Sequence, residues 1–231
     1  MSVAGRVRQR VLRSRDRLWS VEDFEDLERA NSYSALNNEL RRLVAKGELT
    51  RVRRGVYWRG RASRFGMLSA PTAEVLKKTV DAGDALGATG WHATNLLGLS
   101  TQVSPVEALA VTHRRPEGVQ GKLATRAARQ GRRDAMLNGL EVTVLEALEG
   151  WDRYVEVDGT TALKRFDELL RRDDLRVDRL VIASRTEPAA VRERLRAVLA
   201  HAGYKDDAER VRRARDPRTR ERALRVIAGA S

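Results

Sequence analysis

Ser34, Asn38, Arg41 and Arg42 recur at the spacing of one helical face, with Asn37 at its flank. Asparagine pairs in two places with adenine, and arginine with guanine, across the major groove of DNA. Ser32 and Ser34 stand where that helix begins, and serine hydroxyls and a helix N-terminus both suit phosphate oxygens. Lys46 lies at its far end. Arg51, Arg53 and Arg54 follow closely, placed for minor-groove or backbone contact. The candidate DNA-binding set is therefore Ser32, Ser34, Asn37, Asn38, Arg41, Arg42, Lys46, Arg51, Arg53 and Arg54. The competing reading is an ordinary solvated helix face beside a basic hairpin.

The elements that must carry this set can be read from periodicity. Leu36, Leu40, Leu43 and Val44 form one stripe at 3.6 residues per turn, which predicts a helix from Ser32 or Ser34. Lys46-Gly47 ends it, since glycine accepts the left-handed conformation of a C-terminal cap. Ahead of it, Val3, Val7, Val11 and Leu12 predict a first helix over residues 2–14. Phe24 and Leu27 are the apolar side of a second, which starts at Ser20-Val21-Glu22-Asp23 and runs to about Asn31. There Ser20 is the expected cap, and the Asp23 carboxylate faces the positive helix end. Behind the third helix, Leu49 to Arg53, a turn at Arg54-Gly55, and Val56 to Trp58 alternate as a β-hairpin. Three helices followed by a basic hairpin is the order of a winged helix-turn-helix.

Charge supports a localised polyanion surface. The 231 residues carry a formal net charge of +13, and 42% are hydrophobic. Residues 1–66 hold 16 Lys/Arg against 8 Asp/Glu, residues 67–203 hold 20 against 19, and residues 204–231 hold 9 against 5. The excess sits at the two ends, whereas a uniformly basic protein would show no such segregation. No cysteine is present, which excludes disulfides, zinc–thiolate sites and iron–sulfur clusters. His92, His113 and His201 are too scattered for a metal cluster. No apolar run reaches the roughly 18 residues of a membrane span, and the basic Met1–Arg17 stretch is not a secretory signal. A cytoplasmic protein without metal, cofactor or membrane partner is expected.

The remainder carries little that resembles catalysis. His92 beside Trp91 has no companions in a triad arrangement, and no phosphate-binding loop motif occurs. The glycine-rich stretch from Gly83 to Gly90 reads as a loop into a helix. Tyr154 to Gly159 alternates as a short strand bearing Glu156 and Asp158, a placement that Mg²⁺-dependent nucleases use. Against a nuclease, no acidic strand precedes it, and Asp158 stands where a Glu-x-Lys motif would place its lysine. Residues 161–172 and 186–203 have helical spacing, and the Leu180–Ser184 run is too short to assign by period. Arg192, Arg194 and Arg196, interleaved with Glu193, read as a mixed solvated face, the alternative being a contact face for an acidic partner protein or for DNA. From Lys205 onward a helix, a turn at Asp216-Pro217 and a final helix are expected.

Two segments resemble a known family. Leu43-Val44-Ala45-Lys46-Gly47-Glu48-Leu49-Thr50-Arg51-Val52-Arg53-Arg54-Gly55-Val56-Tyr57 resembles the N-terminal winged helix of AbiEi-type antitoxins, from toxin–antitoxin systems usually classed as type IV. Ala88 to Val103, ending Gly98-Leu99-Ser100-Thr101-Gln102-Val103, looks like the start of that family's second domain, followed by a strand over Val106–Thr112. The resemblance covers roughly residues 1–150, more weakly to about 203. It does not extend to the basic stretch Asp206–Arg225. It implies a winged helix-turn-helix over 1–66 and a mixed α/β antitoxin-type domain over 67–203; with the basic helical tail over 204–231 read from charge and spacing, the expected fold is α+β and mostly helical. It further implies a non-enzymatic repressor of its own operon that binds inverted repeats of double-stranded DNA as a monomer or weak dimer, cooperatively, and counteracts a nucleotidyltransferase toxin. A stand-alone winged-helix regulator, or a winged helix fused to a nuclease-like domain, are the alternatives.

Overall fold

The valines spaced by four near the N-terminus form a helix, α1 (Val3–Arg13), with Val7 and Val11 buried and Ser2 capping it through the Gly5 N–H. The computed structural model describes residues 2–27, 33–64, 66–78, 85–104, 108–112 and 122–228. Within them the chain is α+β and mostly helical, with small sheets. They divide into two compact units: residues up to 78, and residues 85–112 with 122–228.

In the first unit, Leu18–Ser20 forms a strand, β1, that periodicity does not reveal. The expected second helix is instead a 3₁₀ turn, Glu22–Leu27, and residues 28–31 of that expectation lie outside the described residues. Asp23 Oδ2 accepts from the Ser20 N–H at 2.6 Å and from its hydroxyl at 3.1 Å, so the hydroxyl donates to a side chain and does not cap the turn by accepting from a backbone N–H.

The next helix, α2 (Tyr33–Ala45), buries Leu36, Leu40 and Leu43 as its stripe requires. It ends with Gly47 at φ 70°, the left-handed cap. Strands β2 (Thr50–Arg53) and β3 (Val56–Trp58) form the expected hairpin, turned at Gly55 with φ 77°. β1 joins antiparallel on the other side, in the order β1-β3-β2, and the β2–β3 register shifts between Arg51 and Arg53. The core of this unit is Val7, Val11, Trp19, Phe24, Leu27, Leu36, Leu40, Leu43, Leu49 and Tyr57.

A two-residue ladder, β4 (Ala62–Ser63) with β5 (Gly66–Met67), and a short helix, α3 (Thr72–Lys77), complete the first unit. The Trp58 indole N–H donates to the Leu68 carbonyl at 2.8 Å, and Lys78 pairs with Asp23. These contacts hold residues 66–78 to this unit, so the division falls beyond the expected boundary at 66.

The second unit opens with β6 (Leu86–Ala88), where a glycine-rich loop is expected. Helix α4 (Trp91–Leu96) and strands β7 (Ala108–Val111) and β8 (Lys122–Thr125) follow. The sheet order is β6-β7-β8, antiparallel then parallel. β7 falls within the expected strand, of which residues 106 and 107 lie outside the described residues. A helical layer comprises α5 (Gln130–Asp134), α6 (Gly139–Glu149), α7 (Trp151–Tyr154), α8 (Gly159–Leu170), α9 (Val177–Ala183), α10 (Ala189–His201), α11 (Lys205–Arg210) and α12 (Pro217–Ala228). Asn138 and Glu141 form a capping box at the start of α6, which is buried along nearly its whole length.

Two further expectations change here. Tyr154–Gly159 is not a strand: Tyr154 ends α7 and Asp158 caps α8, accepting from the Thr161 N–H. The closing segment has the expected helix–turn–helix order, but it is packed rather than appended. Val211, Ala214, Ala223 and Ile227 are buried, and Val211 and Ile227 join the core with Trp151, Phe166, Leu195 and Leu199. α12 approaches the start of α8 so closely that a β-carbon at Gly159 would lie 1.6 Å from the Ile227 carbonyl oxygen.

Candidate nucleic-acid interface

In the first unit, α2, the 3₁₀ turn and the β2–β3 hairpin border an open groove of about 770 Å³. Burial of Leu36, Leu40 and Leu43 turns the opposite face of α2 outward, so Ser34, Asn37, Asn38 and Arg41 line one wall. The Gly55 turn brings Arg51 and Arg54 to another. Six of the ten candidate residues thus share one concave surface. Arg41 and Arg54 carry no hydrogen bond or ion pair among the described residues, and Arg51 donates only to the Arg53 carbonyl at 3.4 Å. The Asn37 amide is turned to the Tyr33 carbonyl at 2.9 Å, which leaves Asn38 as the freer amide.

The remaining candidates lie elsewhere. Arg42 makes a bidentate pair with the buried Glu39, Nε and Nη2 each at 2.8 Å, and this charge-assisted pair raises its pKa further. A guanidinium held that way has spent the fork that a guanine edge would need. Lys46 and Arg53 do not line the groove, and Ser32 lies outside the described residues. The structure adds three residues that sequence reasoning did not select. Tyr33, 61% exposed, lines the groove at the start of α2, and Glu22 and Glu25 line it from the 3₁₀ turn. An aromatic at an exposed helix start was the one available signal for Tyr33. The two glutamates depend on a turn that periodicity reads as a helix.

The second unit uses its arginines differently. Arg132 is fully buried, with Nη1 on Glu146 and Nε on Glu187, both at 2.6 Å. Arg126 pairs with Glu146 at 2.7 Å, and Arg129 pairs with Glu149 and with Glu187. The Thr89 hydroxyl donates to Glu146. Burial raises the Glu146 pKa, but Arg126, Arg132 and Thr89 outweigh it and hold the carboxyl at about 2. A cavity of about 400 Å³ beside this network is lined by Thr89, Arg126, Glu146 and Tyr154. Three guanidinium groups face three carboxylates, each already paired, so the network is a structural lock and offers no unpaired acid, base or anion site.

The two carboxylates weighed as metal ligands are also committed. Glu156 accepts from the Ser100 hydroxyl at 2.8 Å and the Thr101 N–H at 3.2 Å, which lowers its pKa, and Asp158 caps α8. His92 Nδ1 lies 3.3 Å from the Ala108 carbonyl, and His113 is outside the described residues. Among the described residues no cluster of three or more metal-ligating side chains occurs, and no helix is long and apolar enough to cross a membrane. The arginines of α10 do not form a solvated face. Arg194 is buried, bonded to the Leu148 carbonyl at 2.8 Å and Asp152 at 2.6 Å, while Arg192 and Arg196 bond backbone carbonyls of residues 208–212.

Comparison with known proteins gives a family without an assigned activity. The model of a family of unknown function (DUF6088) matches residues 8–130, more than half of the chain. No curated protein matches. Among solved structures, the chain is similar to the RV2827C protein from Mycobacterium tuberculosis, with a TM-score of 0.49 and 16% identity over 93% of this chain and 82% of that one.

Proposed function

The chain belongs to the DUF6088 family, and we propose that it is a DNA-binding antitoxin that represses its own operon. What carries the reading is the groove of the first unit, where Ser34, Asn38 and Arg41 on a helix face the hairpin arginines Arg51 and Arg54. Side chains able to read base edges and cations able to hold phosphate converge there. The order helix, strand, 3₁₀ turn, helix and two-stranded hairpin, closed by β1 pairing with β3, supports reading the unit as a winged helix. In this mechanism α2 enters the major groove, with Asn38 and Arg41 at base edges and Arg51, Arg53 and Arg54 on the flanking backbone. Arg42, clamped by Glu39 of the same helix, does not read sequence.

The antitoxin half rests on the AbiEi-type resemblance of residues 43–57 and 88–103. A cognate nucleotidyltransferase toxin is then the protein partner, and inverted repeats in the promoter are the DNA partner. The nuclease alternative loses its support, because Glu156 and Asp158 are spent on backbone and hydroxyl donors.

Fluorescence anisotropy with duplexes tiling the promoter tests the DNA reading. A repeat-containing duplex should bind far more tightly than a scrambled one, and substituting Arg51, Arg53 and Arg54 with Gln should lower affinity and flatten its salt dependence by about two to three units. Equal binding of both duplexes, or no effect of the triple variant, removes the reading. Growth of cells expressing the adjacent gene, with and without this chain, tests the antitoxin half. A harmless neighbour leaves only a regulator.

A further inference from the structure

The arginines of residues 205–228 present a second basic surface, in the other unit of the chain. Arg212, Arg213, Arg215, Arg218 and Arg222 are exposed or half-buried, and none of their guanidinium groups has a hydrogen bond or ion pair among the described residues. The two acids within residues 212–222 are already engaged. Asp216 accepts from the Arg218 N–H and the Thr219 hydroxyl at the start of α12, and Glu221 pairs with Arg225.

The backbone beneath these arginines is held from within. Arg196 Nη1 donates to the Val211 carbonyl at 2.7 Å and to Ala208, and Arg192 Nε donates to the Arg212 carbonyl at 2.9 Å. The buried Glu193 accepts from the Ala214 N–H, and the side chains of Val211 and Ala214 are themselves buried. Charged groups of α10 are thus spent on fixing the main chain of residues 208–214. The arginines between those anchors have nowhere to point but outward.

A rigid mount for unpaired cations is what a polyanion contact needs, since the side chains need not be gathered on binding. The surface lacks what other occupants would require. A protein interface is built around apolar or aromatic anchors, and none of the exposed large hydrophobic side chains of the described residues falls within 205–228. A membrane-surface helix must offer its apolar face to lipid, but α12 turns Ala223 and Ile227 into the core of its own unit.

We propose that residues 212–222 form a second, sequence-independent contact for the phosphate backbone of duplex DNA. The choice of DNA as the polyanion rests on the function proposed for the first unit. The existence of the contact does not.

The test compares the full chain with three variants on one promoter duplex over a sodium chloride series. The first carries Arg212→Gln, Arg213→Gln, Arg215→Gln and Arg218→Gln. The second carries Arg51→Gln, Arg53→Gln and Arg54→Gln. The third is a control for net charge, with Arg165→Gln, Arg171→Gln, Arg172→Gln and Arg185→Gln, which are exposed arginines of the same unit. Removing one phosphate interaction should flatten the slope of log affinity against log salt by nearly one unit. The first variant should therefore show a slope flatter by about three to four units, with its preference for the repeat sequence over a scramble retained, and the control a change of less than about one unit.

An unchanged slope in the first variant, or an equal flattening in the control, overturns the proposal whatever the second variant does. A flatter slope in the first variant with no change in the second upholds it and overturns the reading of the first unit. Wild-type chain that shows no salt-dependent affinity for any DNA overturns both. Flattening seen with duplex RNA but not with DNA overturns the assignment to DNA. If the quadruple variant melts early, the single variants Arg213→Gln and Arg218→Gln carry the same test at about one unit each.

Discussion

Arg41 and Arg132 set the two units of this protein against each other. Arg41 stands on an exposed helix face with no partner among the described residues, whereas Arg132 is fully buried between Glu146 and Glu187. The residue type is the same and the physical situation is opposite. A guanidinium in water is free to meet an incoming anion. A guanidinium in the interior is stable only because its carboxylates came inside with it, and without it each of them would lose its most deeply buried cation. Arg41 and Arg54 in the first unit are available for recognition, and the arginines around α6 and α10 are part of the fold.

That contrast breaks first at the buried network. Arg132→Leu should cost about 3–5 kcal/mol of stability, because it removes the shared buried cation of Glu146 and Glu187 and leaves them only Arg126 and Arg129. Arg41→Leu should change stability by no more than about 0.5 kcal/mol, as an isolated surface substitution does. Chemical denaturation of the two variants checks both. Equal costs would mean that the network is not buried as described.

Next comes the docking of α12. Gly159→Ala places a methyl group on the Ile227 carbonyl, so α12 must shift, at about 1–3 kcal/mol. Hydrogen exchange should quicken over 217–228 before it does elsewhere in the unit. An unperturbed exchange pattern would show that the helix is not seated on α8.

The pH response sharpens the comparison further. The Glu146 carboxyl sits at about 2, below its ordinary 4.5. A lowered folded-state pKa contributes stability that is complete above about 4.5 and disappears as pH falls through about 2. The melting temperature should therefore drop across that window. Arg126→Gln removes the largest of the lowering interactions, so it should melt earlier than wild type at about pH 7, with the gap narrowing toward about pH 3. A constant gap would argue against this linkage.

The smallest expected effect distinguishes neighbours. Arg41→Gln should weaken promoter binding about tenfold, the scale of a single base interaction. Arg42→Gln, whose fork is already held by Glu39, should weaken it less and leave base preference unchanged. The reverse order, read by anisotropy on single-base variants of the repeat, would reassign the reading residue.

Much of the first unit was legible in the chain itself. The Leu36/Leu40/Leu43 stripe set both the helix and its outward face, and Gly47 and Gly55 marked the cap and the turn that their positive φ angles require. Strand β1 was not legible, because three residues carry no period, and what makes Leu18–Ser20 a strand is its pairing with β3. Glu22–Leu27 has helical composition, yet it closes as a 3₁₀ turn, with the Phe24 N–H on the Val21 carbonyl three residues back. Glu156 and Asp158 alternate like a strand, but their carboxylates bind donors at Ser100, Thr101 and Thr161, which local patterning does not see.

By itself, the sequence determined the helices whose apolar residues recur at a period of about 3.6, the hairpin and the uneven distribution of charge. These are local properties, set by side-chain periodicity and backbone preference within a few residues. Only the tertiary structure decided which arginines face solvent. Arg192, Arg194 and Arg196 look on paper like a solvated face, and they became anchors because residues 148–152 and 208–212 brought carbonyls and a carboxylate to meet them. Whether a cation is free or spent depends on which acceptors the fold carries to it from far along the chain, and charge count alone does not contain that information.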